Sequence, residues 1–214
     1  MSKIGIIDYH VGNLRSVQKA FELLGAEAHI LRHPSETASV DKLILPGVGS
    51  FAAAMGFLNK LGWVNPIKQH IKTGNPFLGI CLGMQLIFEG SEEEAAPGQL
   101  VPGLGILPGK VVRFNENIDS PSPLKVPQMG WNAIHWDRND PLLQGLQQDA
   151  YVYFVHSYYV QPTETSDTPI TSARADYGHD FTATVWKDNV WATQFHPEKS
   201  QRIGLKILQN FAAI

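Results

Sequence analysis

This sequence is nearly without cysteine: Cys81 is the one thiol in 214 residues. That count excludes an internal disulfide and a multi-thiolate metal site. It fits a reducing compartment and leaves thiol chemistry as the sulfur's distinctive use. No apolar stretch approaches the roughly 20 residues needed to cross a bilayer. The opening Ser2-Lys3-Ile4-Gly5 enters an apolar run without a basic region or signal core, so a cytoplasmic location is expected. Charge is sparse as well. With 17 basic and 20 acidic residues, a net charge of -3 and no basic block, the composition gives no support to nucleic-acid binding. No internal repeat or low-complexity tract is present. What remains, with 43% hydrophobic residues, suffices for one large α/β domain or two small, intimately packed ones.

The stretch that organises the chain is Pro76-Phe77-Leu78-Gly79-Ile80-Cys81-Leu82-Gly83-Met84-Gln85. It reads as a buried strand turning sharply into a helix with the thiol at the corner. The spacing Gly79-x-Cys81-x-Gly83 has the form of a nucleophile elbow, in which small neighbours permit the tight turn and leave the side chain exposed above the sheet. Taken by itself, the residue reads equally well as a small buried core residue.

Around it, segment 3–8 is a continuous apolar run of β-branched residues, the pattern of a strand covered on both faces, and 26–31, 42–45 and 77–80 read as further strands. Between them lie helical patterns at 14–24, 51–61 and 66–72, with a further helix at 82–88. Asn13 stands at an N-cap position and Gly25 at a C-cap position. This alternation implies a doubly wound, mostly parallel sheet flanked by helices. Beyond Glu89 the texture changes to prolines, glycines and strand signals at 110–114, 131–136, 151–160, 171–176, 182–186 and 190–195. These suggest an additional, smaller antiparallel sheet. Residues 115–127 read as an exposed loop, and 200–211 as a final amphipathic helix.

A cysteine nucleophile needs a base, and the base needs a group that fixes its tautomer. His196 and Glu198, in Phe195-His196-Pro197-Glu198, supply both at a strand end. In a parallel α/β sheet the carboxyl ends of strands gather on one edge, where such distant residues can meet. Attack on an amide also puts charge on its oxygen, which backbone N–H groups stabilise. Leu82 and the loop Gly47-Val48-Gly49 are the candidate donors.

Pro46-Gly47-Val48-Gly49, Gly79-Ile80-Cys81-Leu82-Gly83 and Phe195-His196-Pro197-Glu198, in this order, resemble the class I (triad) glutamine amidotransferases. Asp8-Tyr9, Gly12-Asn13-Leu14-Arg15, Gln128-Met129-Gly130-Trp131-Asn132 and His156-Ser157-Tyr158-Tyr159 narrow the resemblance to the glutaminase subunits of imidazole glycerol phosphate synthase, over essentially all of residues 1–214 as a single domain. The resemblance implies hydrolysis of glutamine through a thioester on Cys81, with no cofactor or metal, and delivery of ammonia to a (β/α)8-barrel cyclase subunit in a heterodimer. It places Gln85, Glu93, Ser157 and Tyr158 along the substrate and Asn13, Trp131, Tyr153 and Lys199 at the subunit interface. It further implies that the loop carrying Val48 changes orientation when the cyclase is occupied. Without it, Glu93 reads as part of a solvated acidic run, and Trp131 and Tyr153 as strand residues. One departure stands out, because the family pattern has glycine where this chain has His10. A glutaminase serving another synthase, a cysteine hydrolase of related class and a binding subunit with a vestigial site are the competing readings.

Overall fold

The computed structural model describes residues 2–115 and 123–214. Strand β1 (Ile4–Ile7) leads to helix α1 (Leu14–Leu23), and β2 (Ala28–Leu31) to β3 (Lys42–Gly47). Two helices, α2 (Phe51–Lys60) and α3 (Val64–Lys72), precede β4 (Phe77–Cys81), and the elbow opens α4 (Leu82–Leu86). The second half contributes β5 (Gly90–Ser91), β6 (Val101–Pro102), β7 (Gly109–Arg113), β8 (Gln128–Ile134), β9 (Ala150–His156) and β10 (Tyr158–Pro162). It closes with β11 (Thr171–Asp176), β12 (Asp180–Lys187), β13 (Val190–Thr193) and helix α5 (Gln201–Ala213).

Seven strands form the main sheet in the order β11-β12-β13-β4-β3-β1-β2. From β13 to β2 all neighbours run parallel, while β12 and β11 extend the sheet antiparallel at one edge. The apolar runs are continuous because each strand feeds two cores. Ile4, Ile6, Ile44 and Leu78 point into one with Val17, Phe21, Ile207 and Phe211 of α1 and α5. Ile7, Leu43, Leu45 and Phe77 point into the other with Met55, Leu58 and Ile67 of α2 and α3. This is the doubly wound arrangement that the sequence implies. Lys42 ties a sheet edge to a helix end, its ammonium donating to the carbonyls of Phe211 at 3.1 Å and Ala212 at 2.5 Å at the C-terminus of α5.

The smaller sheet, β10-β7-β5-β6, is mixed: β10/β7 and β5/β6 are antiparallel and β5/β7 is parallel. Strands β8 and β9 form a separate antiparallel ribbon. The single strand expected over 151–160 is two, broken at Ser157, with β9 on the ribbon and β10 on the smaller sheet. Apolar residues run on through the break, so period alone conceals it. Helix α4 also ends earlier than expected. The carbonyls of Leu86, Ile87 and Phe88 accept from Leu104, Ile106 and Gly105 at 2.8–3.0 Å, which draws the chain into a loop-to-loop ladder. Asn13 occupies the N-cap position of α1, where its carbonyl accepts from Ser16 and Val17, but its side chain makes no cap bond. Of the loop expected at 115–127, residues 116–122 lie outside the described residues, and 123–127 are exposed or half-buried.

Candidate active site

The elbow is built by steric necessity. Cys81 has φ 55° and ψ -110°, a strained backbone for any side-chain-bearing residue. Its flanking glycines permit that turn. A Cβ on Gly83 would run into the Leu45 carbonyl, and one on Gly79 would lie 2.8 Å from the Gly83 oxygen. The first turn of α4 thus rests directly on β3. Gly47, paired with Cys81 in the β3/β4 register, is equally confined, since a Cβ there would lie 2.6 Å from the Tyr9 hydroxyl and 2.9 Å from the Leu82 Cβ.

The neighbouring parallel strand β13 ends at Thr193, and the chain continues into His196 on the same sheet edge as Cys81. His196 Nδ1 and Glu198 Oε1 are 2.8 Å apart, with side chains 2% and 1% exposed. Burial alone lowers the imidazole pKa; hydrogen bonding and charge from Cys81 and Glu198 outweigh it and raise the pKa to about 10. The carboxylate fixes the proton on Nδ1. Nε2 is buried and makes no hydrogen bond of normal geometry, which leaves it for chemistry. The main chain of His196 is held by the ribbon: its N–H donates to the Tyr153 carbonyl at 3.0 Å. Ser200 Oγ donates to the His196 carbonyl at 2.7 Å and accepts from the Tyr153 N–H at 2.9 Å.

A cavity of about 380 Å³ opens over the thiol, lined by Val48, Gly49, Cys81, Leu82, Gln85 and Glu93 on one side and by Pro127, Ser157, Tyr158 and His196 on the other. Of the expected oxyanion and substrate residues, all but Gly47 line it, and Gly47 lies beneath as the β3 partner of Cys81. Gly49 takes φ +88° in the loop. Glu93 is half-buried between the exposed Glu92 and Glu94. Burial raises its pKa, and its Oε2 accepts from the Phe51 N–H at 2.8 Å, which ties the start of α2 to the cavity wall. The amide NH2 of Gln85 is consumed internally, by the Tyr158 carbonyl at 2.9 Å and Gln194 Oε1 at 3.1 Å, so its oxygen is what faces outward.

The expected interface residues gather on the outer face of the ribbon. Trp131 and Tyr153 are cross-strand partners with ring centroids 6.0 Å apart, and the Lys199 ammonium lies 5.9 Å from the Tyr153 ring centre. Met129, Trp131 and Tyr151, exposed by 65%, 46% and 60%, continue this apolar face. Asn13 stands apart at the head of α1, which packs beside the 197–199 turn.

Sequence reasoning assigned no role to three buried polar residues at the cavity: His156, which lines it, and Gln194 and Ser200, which do not. Gln194 carried a signal, a polar residue at the end of an otherwise apolar strand. His156 Nδ1 lies 2.8 Å from the Tyr158 carbonyl and Nε2 2.8 Å from Gln128 Oε1. Burial, offset in part by its bond to Tyr158 and reinforced by the charge of His196, lowers its pKa to about 4.

Residues 5–214 match the family model for glutamine amidotransferase class-I, and the chain belongs to that family. A crystal structure described as a glutamine amidotransferase aligns over 99% of both chains at TM-score 0.72 with 19% identity. PurLQS from Thermotoga maritima aligns over 99% of this chain and 98% of that one, at TM-score 0.74 and 18% identity. Those likenesses concern the fold. Among curated relatives, the imidazole glycerol phosphate synthase subunit HisH of Syntrophotalea carbinolica is 54% identical over 209 residues, 97% of this chain and 98% of the relative. The subunit of the same name in Geobacter sulfurreducens is 49% identical over 212 residues, 99% of this chain and 98% of that one.

Proposed function

We propose that this chain is the glutaminase subunit of an imidazole glycerol phosphate synthase, with Cys81 as nucleophile, His196 as acid and base, and Glu198 as the group that orients His196. The observation that carries the reading is the strained thiol at the floor of a cavity sized for an amino acid, beside a buried histidine–carboxylate pair. The Cys81 thiolate attacks the side-chain amide carbon of glutamine, forming a C–S bond. The developing oxyanion is met by the Leu82 N–H and by the N–H groups of the 47–49 loop. The imidazolium of His196 gives its Nε2 proton to the departing amine, the C–N bond breaks, and ammonia leaves a thioester. Water, deprotonated by His196, hydrolyses the thioester to glutamate and returns the thiolate. Gln85 Oε1 and the Glu93 carboxylate attract the substrate ammonium, and the Ser157-Tyr158 backbone runs along the amino acid.

The partner is a cyclase subunit that consumes the ammonia. Protonated ammonia is no nucleophile, so a closed route between the two sites has a chemical rationale. The Met129-Trp131-Tyr151 face, with Tyr153 and Lys199, is the surface offered to that subunit, and Asn13 adds a polar contact at its border. A cytoplasmic location suits this biosynthetic role.

Cys81→Ala tests the reading. Glutamine hydrolysis falls by at least about 10⁴-fold, as expected for removing a nucleophile, while a complex with the cyclase still turns over with ammonium salts. Loss of both activities, or survival of hydrolysis, overturns it.

A further inference from the structure

Gln194 is fully buried between β13 and His196, and the orientation of its amide is dictated by its neighbours. A backbone carbonyl only accepts, so the Gln85 atom 2.9 Å from the Tyr158 oxygen is the NH2 nitrogen. The second hydrogen of that NH2 points at Gln194, which must therefore present its oxygen, at 3.1 Å. The Gln194 NH2 is left facing the Cys81 sulfur at 3.8 Å. Turning the Gln194 amide over would set two NH2 groups against each other in a buried site. The N–H···S contact is thus a chemical consequence of the Tyr158 carbonyl.

We propose that Gln194 is a further catalytic residue: its side-chain N–H donates to the Cys81 sulfur and stabilises the thiolate independently of His196, while Gln85 is the positioning residue that aims it. A donor directed at a sulfur favours the charged form over the thiol. The contact counts at both ends of the cycle. Before attack it holds the thiolate at the cavity floor. In the thioester the sulfur has lost its charge and the contact weakens. When water adds and the C–S bond breaks, the sulfur leaves with the electron pair, His196 holds the proton taken from water, and the contact is regained in the transition state for departure. Gln194 keeps both its protons throughout.

The proposal rests on Cys81 being the nucleophile, but its test reads the thiolate directly and needs no glutamine turnover. Because Cys81 is the only thiol in the chain, its alkylation by iodoacetamide across a pH series gives an unambiguous profile. Gln194→Leu removes the donor at similar volume. Gln194→Glu keeps the oxygen that Gln85 needs and sets an acceptor against the sulfur. The profile is expected to move to higher pH by about one unit in Gln194→Leu, with alkylation near pH 7 about tenfold slower, in keeping with one lost hydrogen bond to a charged group. In Gln194→Glu it moves further. In Gln85→Met, where Gln194 remains but is no longer aimed, a smaller shift of the same sign is expected. The Gln85→Met arm also serves if neither Gln194 variant folds. Profiles in the folded variants that coincide with the parent, or a shift in Gln194→Glu smaller than in Gln194→Leu, overturn the proposal. An alkylation profile that shifts as expected in a chain without glutaminase activity would instead count against the reading of Cys81 as a glutaminase nucleophile alone.

Discussion

The triad corner and the β8/β9 ribbon sit on opposite rims of one cavity and solve opposite problems. At the corner, Cys81, His196 and Glu198 are almost sealed from water, and the polar atoms behind them are engaged with one another. The ribbon faces outward with Met129, Trp131 and Tyr151 exposed, an apolar surface that a folded chain hides only against something else. Yet the two are joined by backbone. Tyr153 offers its ring to solvent and its carbonyl to the His196 N–H, with Ser200 closing the loop. A force that repositions β9 from outside thus acts on His196, the proposed base, through three hydrogen bonds. The corner is closed on itself, whereas the ribbon leaves an apolar face exposed, the face that we propose for the partner.

The largest effect expected from breaking that contrast lies at the junction, where His156 is buried under the cavity with a pKa near 4, below its ordinary 6.5. The depressed value means that the unfolded chain binds a proton in this window that the folded chain refuses. The stabilisation is fully present above about pH 6.5 and lost as pH falls toward 4, up to about 3 kcal/mol. Urea unfolding at a series of pH values should show a steep loss over that window. His156→Gln, which retains hydrogen-bonding capacity without the titration, should flatten that part of the curve. If parent and variant lose stability in parallel below pH 6.5, the buried neutral imidazole is not what couples corner to ribbon.

Second in size is the ribbon surface. Trp131→Ala removes an exposed aromatic anchor and should weaken cyclase binding by at least about tenfold, a cost typical of such anchors. Stability of the isolated chain should change by less than about 1 kcal/mol, because the ring is half in solvent already. Titration calorimetry beside thermal unfolding separates the two. A variant that unfolds readily but binds normally would make Trp131 a structural residue.

The contrast also explains how much was legible in the sequence. The corner is written in short-range steric code: Gly79, Cys81 and Gly83 have the spacing that allows the turn, and the turn is found there. The parallel strands were equally readable, because burial on both faces leaves unbroken apolar runs at 4–7, 42–47 and 77–81. The break at Ser157 was not. His156 on β9 and Tyr158 on β10 belong to different sheets, and the corner between them is held by the His156 ring and the Gln85 amide on the Tyr158 carbonyl and by the Phe114 N–H on the Ser157 carbonyl, tertiary arrangements without local signature. Glu93 was misleading for the same reason. Its acidic neighbours suggest solvent, but the Phe51 N–H, 42 positions earlier, draws it inward. Gln194, Gln85 and Ser200 act through partners far along the chain, which no period or spacing announces.

The smallest effect concerns strain that function does not use. Cys81 and His10 both carry positive φ, 55° and 71°, Cys81 as the last residue of β4 and His10 in the loop after β1. At Cys81 the strain holds the thiol that we propose as nucleophile at the cavity floor. The His10 backbone N–H is tied down by Asp8 Oδ1 at 3.0 Å, and its ring meets Phe57 only edge-on at 6.1 Å. The resemblance puts glycine there, and the geometry gives the reason, since glycine takes this conformation without a Cβ penalty. His10→Gly should therefore raise unfolding stability by up to about 1 kcal/mol, less whatever the freer unfolded chain takes back. Glutaminase activity should stay unchanged. If His10→Gly is destabilising by that amount, the ring contact with Phe57 outweighs the backbone strain. If activity or cyclase binding changes while stability does not, the strained loop before Asn13 belongs with the ribbon as part of the partner-facing surface, and the boundary drawn between the two regions must move to include it.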